Sequence, residues 1–531
     1  MRKSLRPGAF DSLAQAGRRW YDCLLATDLQ RGRPWRGGMG PIMTCSRRGR
    51  TISIAALILT IVVVMAVAPR LIRGGSRRET AKAFAVKPYL QPGDDPSGST
   101  LALLWQTDDQ GAEWSVDVQA ESSSPWVAAG RPIARRVVVG GVPAFRLYRA
   151  ALPRISKAGF RYRVLRAATV EFEAAVPAAK ASGAAERFVV FGDCAAGTDD
   201  QRAIARETFR ARPDYVVVTG DVVYTRGRVS EYLDHFFPIY NADDSSGVPL
   251  LRSSLVYAAP GNHDLIEANL DAFPDGLGYF YYWALPLNGP VHSPGSVGAP
   301  LLKGSAARRR AFLDAAGPAY PRMANFSFDR GPVHWTVLDS NLYVDWTDKA
   351  VLDWLEADLA SPAARRASWR LVAFHHPPFN SSKAHSDDQR TRVLAPVFEK
   401  AGVAVVFNGP VHNYQRTHPL KFTLGPPPAD AKAGKPYSSR GRVDGRWVLD
   451  TVFDGGTHTR PDGVIYLITG AGGARLYNTE QHDRPSTWHD FTARFVSNVH
   501  SLTLADVTPD ALTLRQVSAS GVELDRVVIT H

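Results

Sequence analysis

Short apolar runs separated by Pro, Gly and Asp fill the sequence between residues 85 and 182. Runs at residues 101–105, 115–118 and 162–165 are too short for helices and are typical of strands. No amphipathic helix interrupts them. We therefore predict a small β-sandwich domain over residues 85–182.

A different pattern, strands alternating with helices, begins near residue 186. Apolar runs at 188–191, 215–218, 255–258, 370–374 and 403–407 predict buried strands, and residues 201–210 predict a helix. Each of these strands is followed by a polar side chain that can bind metal: Asp193, Asp221, Asn262, His375 and His412. We expect the five strands to share one sheet, whose carboxyl edge would gather the five side chains.

Two further segments complete the region from 186 to 531. Residues 265–325 are predicted to be a loop-rich insertion at the edge of that site, with Arg308, Arg309 and Arg310 on a solvated loop. Apolar runs at 501–504, 512–514 and 527–529 predict closing strands. Residues 186–531 are thus expected to form one domain.

The N-terminal leader is dominated by an uncharged stretch at residues 51–69. Its 19 residues span about 28 Å as a helix, close to the ~30 Å hydrocarbon core of a bilayer. We predict a transmembrane signal-anchor at 51–69, a disordered basic tail at 1–50 and a linker at 70–84. The arginines before the span favour a cytoplasmic N-terminus and an extracytoplasmic body, periplasmic or extracellular. Cleavage after residues 66–68, giving a secreted protein, is the alternative.

The charge of the chain is concentrated in this leader. Residues 1–80 hold 15 Lys and Arg against 4 Asp and Glu, whereas the remaining residues hold 48 against 47. A nearly neutral body excludes a basic footprint for nucleic acid, so no nucleic-acid partner is expected. Of three cysteines only Cys194 lies in the body, which excludes a disulfide framework there.

The donor atoms at the strand ends are oxygens and imidazole nitrogens without thiolates. Such donors suit Fe, Mn or Zn in a catalytic site. Two metal ions held ~3.5–4 Å apart can stabilise both the attacking and the leaving oxygen of a phosphoryl displacement.

The ordered motifs resemble those of the calcineurin-like metallophosphoesterases, and specifically the purple acid phosphatase branch. The matching segments are residues 192–193, 220–224, 261–264, 375–377 and 411–416, preceded by a domain opening at 87–91 with Trp105. The resemblance covers residues 85–531. It implies an α+β fold, with two face-to-face β-sheets flanked by helices (an αββα sandwich) after a fibronectin-III-like β-sandwich and the transmembrane helix.

The resemblance also implies a dinuclear centre of Fe(III) with Fe, Zn or Mn. One metal would be held by Asp193, Asp221, Tyr224 and His412; the second would share Asp221 and add Asn262 and His375. His263 would contact the phosphate, and His385 would protonate the leaving group. The implied activity is hydrolysis of a phosphomonoester, or less favourably a phosphodiester, by a metal-activated hydroxide.

One residue departs from the family pattern. Pro410 stands where the family places a histidine ligand of the second metal. A proline side chain has no donor atom, so the second metal should bind weakly or be absent unless His376 or His418 substitutes. Two alternatives stay open: a metal- or phosphate-binding surface protein with little or no turnover, and a mononuclear hydrolase. The sequence does not determine the oligomeric state.

Overall fold

A computed structural model describes residues 83–531 except for gaps at 97, 99, 154–158, 179, 181–182, 266–267, 293–295, 297 and 428–440. The predicted tail and signal-anchor, and residues 70–82 of the linker, lie outside the described residues. Within the described part, no helix combines the length and apolar character needed to cross a bilayer.

Eight strands come first: β1 (Val86–Gln91), β2 (Thr100–Asp108), β3 (Trp114–Gln119), β4 (Val127–Gly130), β5 (Ile133–Val137), β6 (Phe145–Pro153), β7 (Phe160–Arg166) and β8 (Thr169–Val176). They form two four-stranded antiparallel sheets, β1–β2–β6–β5 and β4–β3–β7–β8. Trp105 of one sheet packs on Trp114 of the other, with ring centroids 5.9 Å apart. The alternating pattern of this segment therefore marks the two inner faces.

The remaining strands are β9 (Glu186–Phe191), β10 (Tyr215–Val218), β11 (Leu255–Ala258), β12 (Phe326–Arg330), β13 (Val333–Val337), β14 (Trp369–Ala373), β15 (Val405–Asn408), β16 (Tyr414–Thr417), β17 (Leu420–Leu424), β18 (Gly445–Leu449), β19 (Ile465–Thr469), β20 (Thr492–Val496), β21 (Ser501–Val507), β22 (Ala511–Ser518) and β23 (Glu523–Thr530). The structure thus contains each of the strands expected after residue 186.

These strands form two large sheets, as the family resemblance implies, whereas the expectation from the apolar runs that five strands share one sheet is wrong. One has the order β11–β10–β9–β21–β22–β23, and the other β12–β13–β14–β15–β19–β16–β20. The sheets face each other through aromatic side chains: Phe188 of β9 lies 5.3 Å from Trp335 of β13, and the Trp335 indole donates to the Tyr215 hydroxyl at 3.0 Å. Strands buried on both faces have the same apolar pattern in one sheet or two, so the sequence alone does not separate these cases.

The α-helical segments are α1 (Asp199–Arg210), α2 (Val229–Glu231), α3 (Phe237–Tyr240), α4 (Asn262–Leu265), α5 (Tyr279–Tyr282), α6 (Ala306–Ala316), α7 (Lys349–Leu359), α8 (Pro362–Arg366) and α9 (Ala395–Lys400). Helix α1 was expected from its periodicity and begins two residues early because the Thr198 hydroxyl accepts the Gln201 N–H at 3.0 Å.

Helix α6 corrects the prediction of a solvated loop at Arg308, Arg309 and Arg310. Arginine is a good helix former, and Phe312, Ala315 and Ala316 bury one side of the helix. Phe312 packs against Tyr320 with ring centroids 5.1 Å apart. The three arginines are exposed on the helix. Because α6 has few apolar positions, its hydrophobic periodicity is weak, and the sequence therefore did not indicate a helix here.

Candidate metal centre

Parallel strands of both large sheets end at the same edge of the sandwich, and their following loops carry the candidate ligands. One oxygen each of Asp193 and Asp221 and one nitrogen of His375 all lie within 4.8 Å of one another, and all three side chains are buried. Asp193 follows β9 and Asp221 follows β10 in the first sheet, whereas His375 follows β14 in the second. The site is therefore built between the sheets.

Tyr224 and His412 join Asp193 on one side of this site. The Tyr224 hydroxyl donates to Asp193 Oδ1 at 2.9 Å and lies 3.0 Å from His412 Nε2. His412 Nε2 also lies 3.2 Å from Asp193 Oδ1. Asp193 Oδ2 is buried and has no hydrogen-bond partner. Three of the four donor side chains expected for the first metal thus converge, and one carboxylate oxygen of Asp193 has no hydrogen-bond partner.

Asp221, Asn262 and His375 form the other side of the site. His375 Nε2 lies 3.1 Å from Asn262 Oδ1 and 3.3 Å from Asp221 Oδ1. The backbone N–H of His263 donates to Asp221 Oδ1 at 2.8 Å. Asp221 lies near ligands of both sets, as a shared ligand requires.

Backbone carbonyls orient both histidine rings. His412 Nδ1 donates to the Arg475 carbonyl at 2.6 Å, and His375 Nδ1 donates to the Thr219 carbonyl at 2.9 Å. Each ring therefore directs Nε2 into the site, as the outer partners of metal-binding histidines do.

The charges of the site call for a cation. Burial opposes ionisation, but the His375 imidazolium holds the pKa of Asp221 below its usual range. Burial opposes the charge on His375 as well, yet Asp221 raises the His375 pKa to about 9. Burial and the charge of Asp193 raise the pKa of the Tyr224 phenol, so a tyrosinate here needs a nearby cation. The donor set fits a metal ion, whose charge would replace that of the His375 proton.

Gly220 brings the Asp221 loop close to His375. Its φ is +100°, and an added Cβ would lie 2.6 Å from His375 Nδ1. A residue with a side chain would therefore be strained and would displace the imidazole.

His263 and His385 lie at the margin of the site. His263 Nδ1 donates to the Thr225 carbonyl at 2.8 Å, and its Nε2 lies 3.8 Å from Asp221 Oδ2. His385 is exposed to solvent, and the centroid of its ring lies 5.9 Å from that of the Tyr477 ring. Partial desolvation and the positive charge of His375 lower the His385 pKa.

The loop that carries Pro410 lies against the site. A Cβ on neighbouring Gly409 would lie 2.6 Å from His375 Nδ1 and 2.8 Å from Asp193 Oδ2. His376 does not join the clustered ligand atoms; its Nδ1 lies 2.9 Å from the Ser340 hydroxyl. His418 is also outside that cluster, among the charges of Arg416, Asp450 and Asp490. Neither histidine is therefore among the three residues whose ligand atoms cluster.

Two residues at the site had no role predicted from the sequence. The Tyr477 ring stacks on His412, with centroids 3.9 Å apart at 10°. Asp264 accepts backbone N–H groups of Val222 at 3.1 Å and Gly261 at 2.9 Å, which ties the two ligand loops together. The Gly-Asn-His-Asp segment could have indicated that Asp264 belongs to the site. The sequence around Tyr477 has no motif that indicates this.

Comparison with known proteins agrees with this geometry. Residues 186–414 match the family model described as calcineurin-like phosphoesterase. This match covers 229 of the 531 residues, so this region of the chain is similar to that family. Its similarity to Purple acid phosphatase 18 of Arabidopsis thaliana is 37% identity over 95 residues, 17% of this chain and 21% of the relative. An uncharacterized protein of Mycobacterium tuberculosis is 31% identical over 140 residues, 22% of this chain and 24% of the relative.

The structural comparison supports the same fold. Purple acid phosphatase PPD1 from yellow lupin (Lupinus luteus) seeds matches with a TM-score of 0.58 and 16% identity, over 83% of this chain and 74% of that chain. The alignments with the curated plant relatives span only about a fifth of those proteins. The structural match thereby shows the fold.

Proposed function

We propose that this chain hydrolyses phosphoric esters, above all monoesters, with metal ions held at the edge between its two large sheets. The convergence of Asp193, Asp221 and His375 within 4.8 Å is the observation that carries this proposal. Buried carboxylates without a cation are costly, and the partnerless Asp193 Oδ2 is such a group.

The residues divide unequally between two metal positions. Asp193, Asp221, Tyr224 and His412 would hold the first metal, Fe(III) in the proposed assignment. The second metal, Fe, Zn or Mn, would have only Asp221, Asn262 and His375, because Pro410 offers no donor. Bound cations would supply positive charge to the phosphoryl oxygens and acidify water.

The remaining residues would bind the phosphate and move a proton. His263 donates its Nδ1 proton to the Thr225 carbonyl, so its Nε2 would donate to a phosphate oxygen when the ring is protonated to imidazolium. His385 lies at the margin of the site, where a protonated imidazole would serve the departing oxygen as general acid.

Pro410 favours a second candidate, a metal- or phosphate-binding protein with little turnover. The site keeps the donors of one metal, and neither His376 nor His418 is among the clustered ligand atoms. In that case the chain would bind inorganic phosphate without hydrolysing esters.

Turnover of p-nitrophenyl phosphate by the purified chain distinguishes these candidates. Removing an outer partner of a metal ligand costs ~10–100-fold, so we expect Asp221→Asn to lose at least ~100-fold in kcat/KM. Asp314→Asn is the matched control, since Asp314 is exposed and pairs with Arg310. Absent turnover in the unsubstituted chain, with retained phosphate binding, would overturn the hydrolase and favour the binding protein.

We also propose that residues 51–69 anchor the chain in a membrane with the body extracytoplasmic. The proposal is supported by the length and lack of charge of that stretch. Full-length chain should sediment with membranes and resist carbonate extraction, whereas a chain lacking residues 1–80 should not. Release of full-length chain by carbonate would contradict the anchor, and a shortened secreted form would favour signal cleavage.

A further inference from the structure

A cavity of about 170 Å³ lies between the β-sandwich and the aromatic segment that begins at α5, apart from the candidate metal centre. Its walls are mostly apolar and aromatic, and they include Leu104, Leu147, Phe280, Trp283 and Met323. The volume is several times the ~30 Å³ that one water molecule takes in the liquid. It is smaller than the ~300–1,000 Å³ clefts that hold drug-sized ligands, so an occupant must be small.

One cation of this cavity, Arg135, lacks a partner. Its guanidinium forms no ion pair and no hydrogen bond with any residue that the structure describes. Its neighbours in the sandwich are paired: Arg136 binds Asp109 at 2.6 Å, and Arg149 binds Asp94 at 2.6 Å. Burial lowers the pKa of Arg135, which shows that its surroundings disfavour the unneutralised charge.

One buried hydroxyl group of the same cavity also lacks a partner. The Tyr281 hydroxyl has no hydrogen-bond partner, and its side chain is buried. Buried polar groups are nearly always satisfied in folded proteins, so two unsatisfied donor groups around one cavity need an explanation.

We propose that this cavity binds a small organic monocarboxylate. The carboxylate would accept from the Arg135 guanidinium in the two-pronged geometry that this pair favours, and from the Tyr281 hydroxyl. Its aliphatic or aromatic body would lie among Leu104, Phe280 and Trp283. One guanidinium neutralises a monoanion but not a phosphate dianion, which would carry an unpaired charge into an apolar cavity. The site goes beyond the proposed hydrolase and does not depend on it.

Isothermal titration of the purified chain with benzoate, hexanoate and benzamide tests the proposal. We expect at least one of the two carboxylates to bind and benzamide, the neutral analogue, not to bind. Losing a charge-assisted hydrogen-bond pair should weaken the Kd at least ~10-fold in Arg135→Met. Arg136→Met is the matched control on the same strand, because Arg136 is exposed and already paired with Asp109, and it should bind as the unsubstituted chain does.

The melting temperature without ligand gives a second readout. An unpaired, partly buried charge destabilises the fold, so Arg135→Met should melt at the same or a higher temperature than the unsubstituted chain, and added carboxylate should raise the melting temperature only where Arg135 is present. Equal carboxylate affinity in Arg135→Met and the unsubstituted chain would overturn the proposal. So would binding of neither carboxylate, or a lower melting temperature of the ligand-free variant, which would make Arg135 a structural residue.

Discussion

Replacing Gly220 by alanine should damage the fold and the metal site through two separable effects. The φ of +100° at Gly220 disfavours any side chain, at a cost of about 1–2 kcal/mol. The new Cβ would also lie 2.6 Å from His375 Nδ1 and 2.9 Å from the Gly261 Cα. Moving the imidazole away strains its 2.9 Å hydrogen bond to the Thr219 carbonyl, which adds about 1 kcal/mol.

Gly402→Ala provides a matched control for the backbone effect. Gly402 has φ +65°, but an added Cβ would approach only the flexible end of Arg370, at 3.5 Å. We expect urea unfolding to show a loss of about 3 kcal/mol for Gly220→Ala and about 1–2 kcal/mol for Gly402→Ala.

Metal affinity is the decisive readout for this pair. Since only Gly220→Ala displaces His375, only this variant should bind Zn²⁺ or Mn²⁺ more weakly, by at least ~10-fold, in titrations of the purified chain. Equal metal affinity in both variants would refute the placement of His375 as a ligand.

Three further predictions concern single side chains. Tyr224→Phe should remove the visible charge-transfer band of the Fe(III)-loaded chain, while Tyr477→Phe should keep it; an unchanged band in Tyr224→Phe would exclude the tyrosinate. The His385 pKa is lowered below 6.5, so the rate of hydrolysis that needs its proton should fall as the pH rises through that pKa. In His385→Asn, the pH dependence of kcat should lose this fall. An identical pH dependence of kcat in the variant would show that His385 is not the general acid. Burial opposes the charge on His334, but Asp329 and Asp358 outweigh it and raise the His334 pKa from 6.5 to about 9. The charged His334 therefore stabilises the folded state fully below pH 6.5, and this stabilisation is lost as the pH rises through 9. His334→Gln should cost about 3 kcal/mol at pH 6 and little at pH 10 in urea unfolding, and an equal cost at both would contradict the pairing.

The strands and the candidate ligands at their ends could be predicted because each is marked by a short sequence pattern. Residues 215–218 are apolar and bounded by turn formers, and a Gly-Asp pair follows them at 220–221. The division of these strands between two sheets followed only from the family resemblance, because an apolar run records burial and not the partner strand.

The remainder of the site depends on contacts that are distant in sequence. Tyr477 reaches His412 from a loop 65 positions later in the chain, and a single tyrosine has no pattern that identifies such a contact. Arg135 and Tyr281 likewise meet across the sandwich and α5, so the cavity that they share is visible only in three dimensions.

The departure at Pro410 could be recognised from sequence, but its consequence required the structure. Whether another imidazole takes over depends on distance, and His376 lies beside Ser340, outside the ligand cluster. With proline at position 410, the proposed second metal position keeps three side-chain donors: Asp221, Asn262 and His375.

Counting metal ions per chain while measuring p-nitrophenyl phosphate turnover tests the central claim most directly. We predict that the purified chain keeps one metal, binds a second only in excess metal, and hydrolyses the ester. Pro410→His should tighten the second metal at least ~10-fold and raise the turnover. A chain that holds one metal and shows no turnover until Pro410 is replaced would contradict catalysis by the natural sequence, and a chain that retains no metal at all would contradict the site itself.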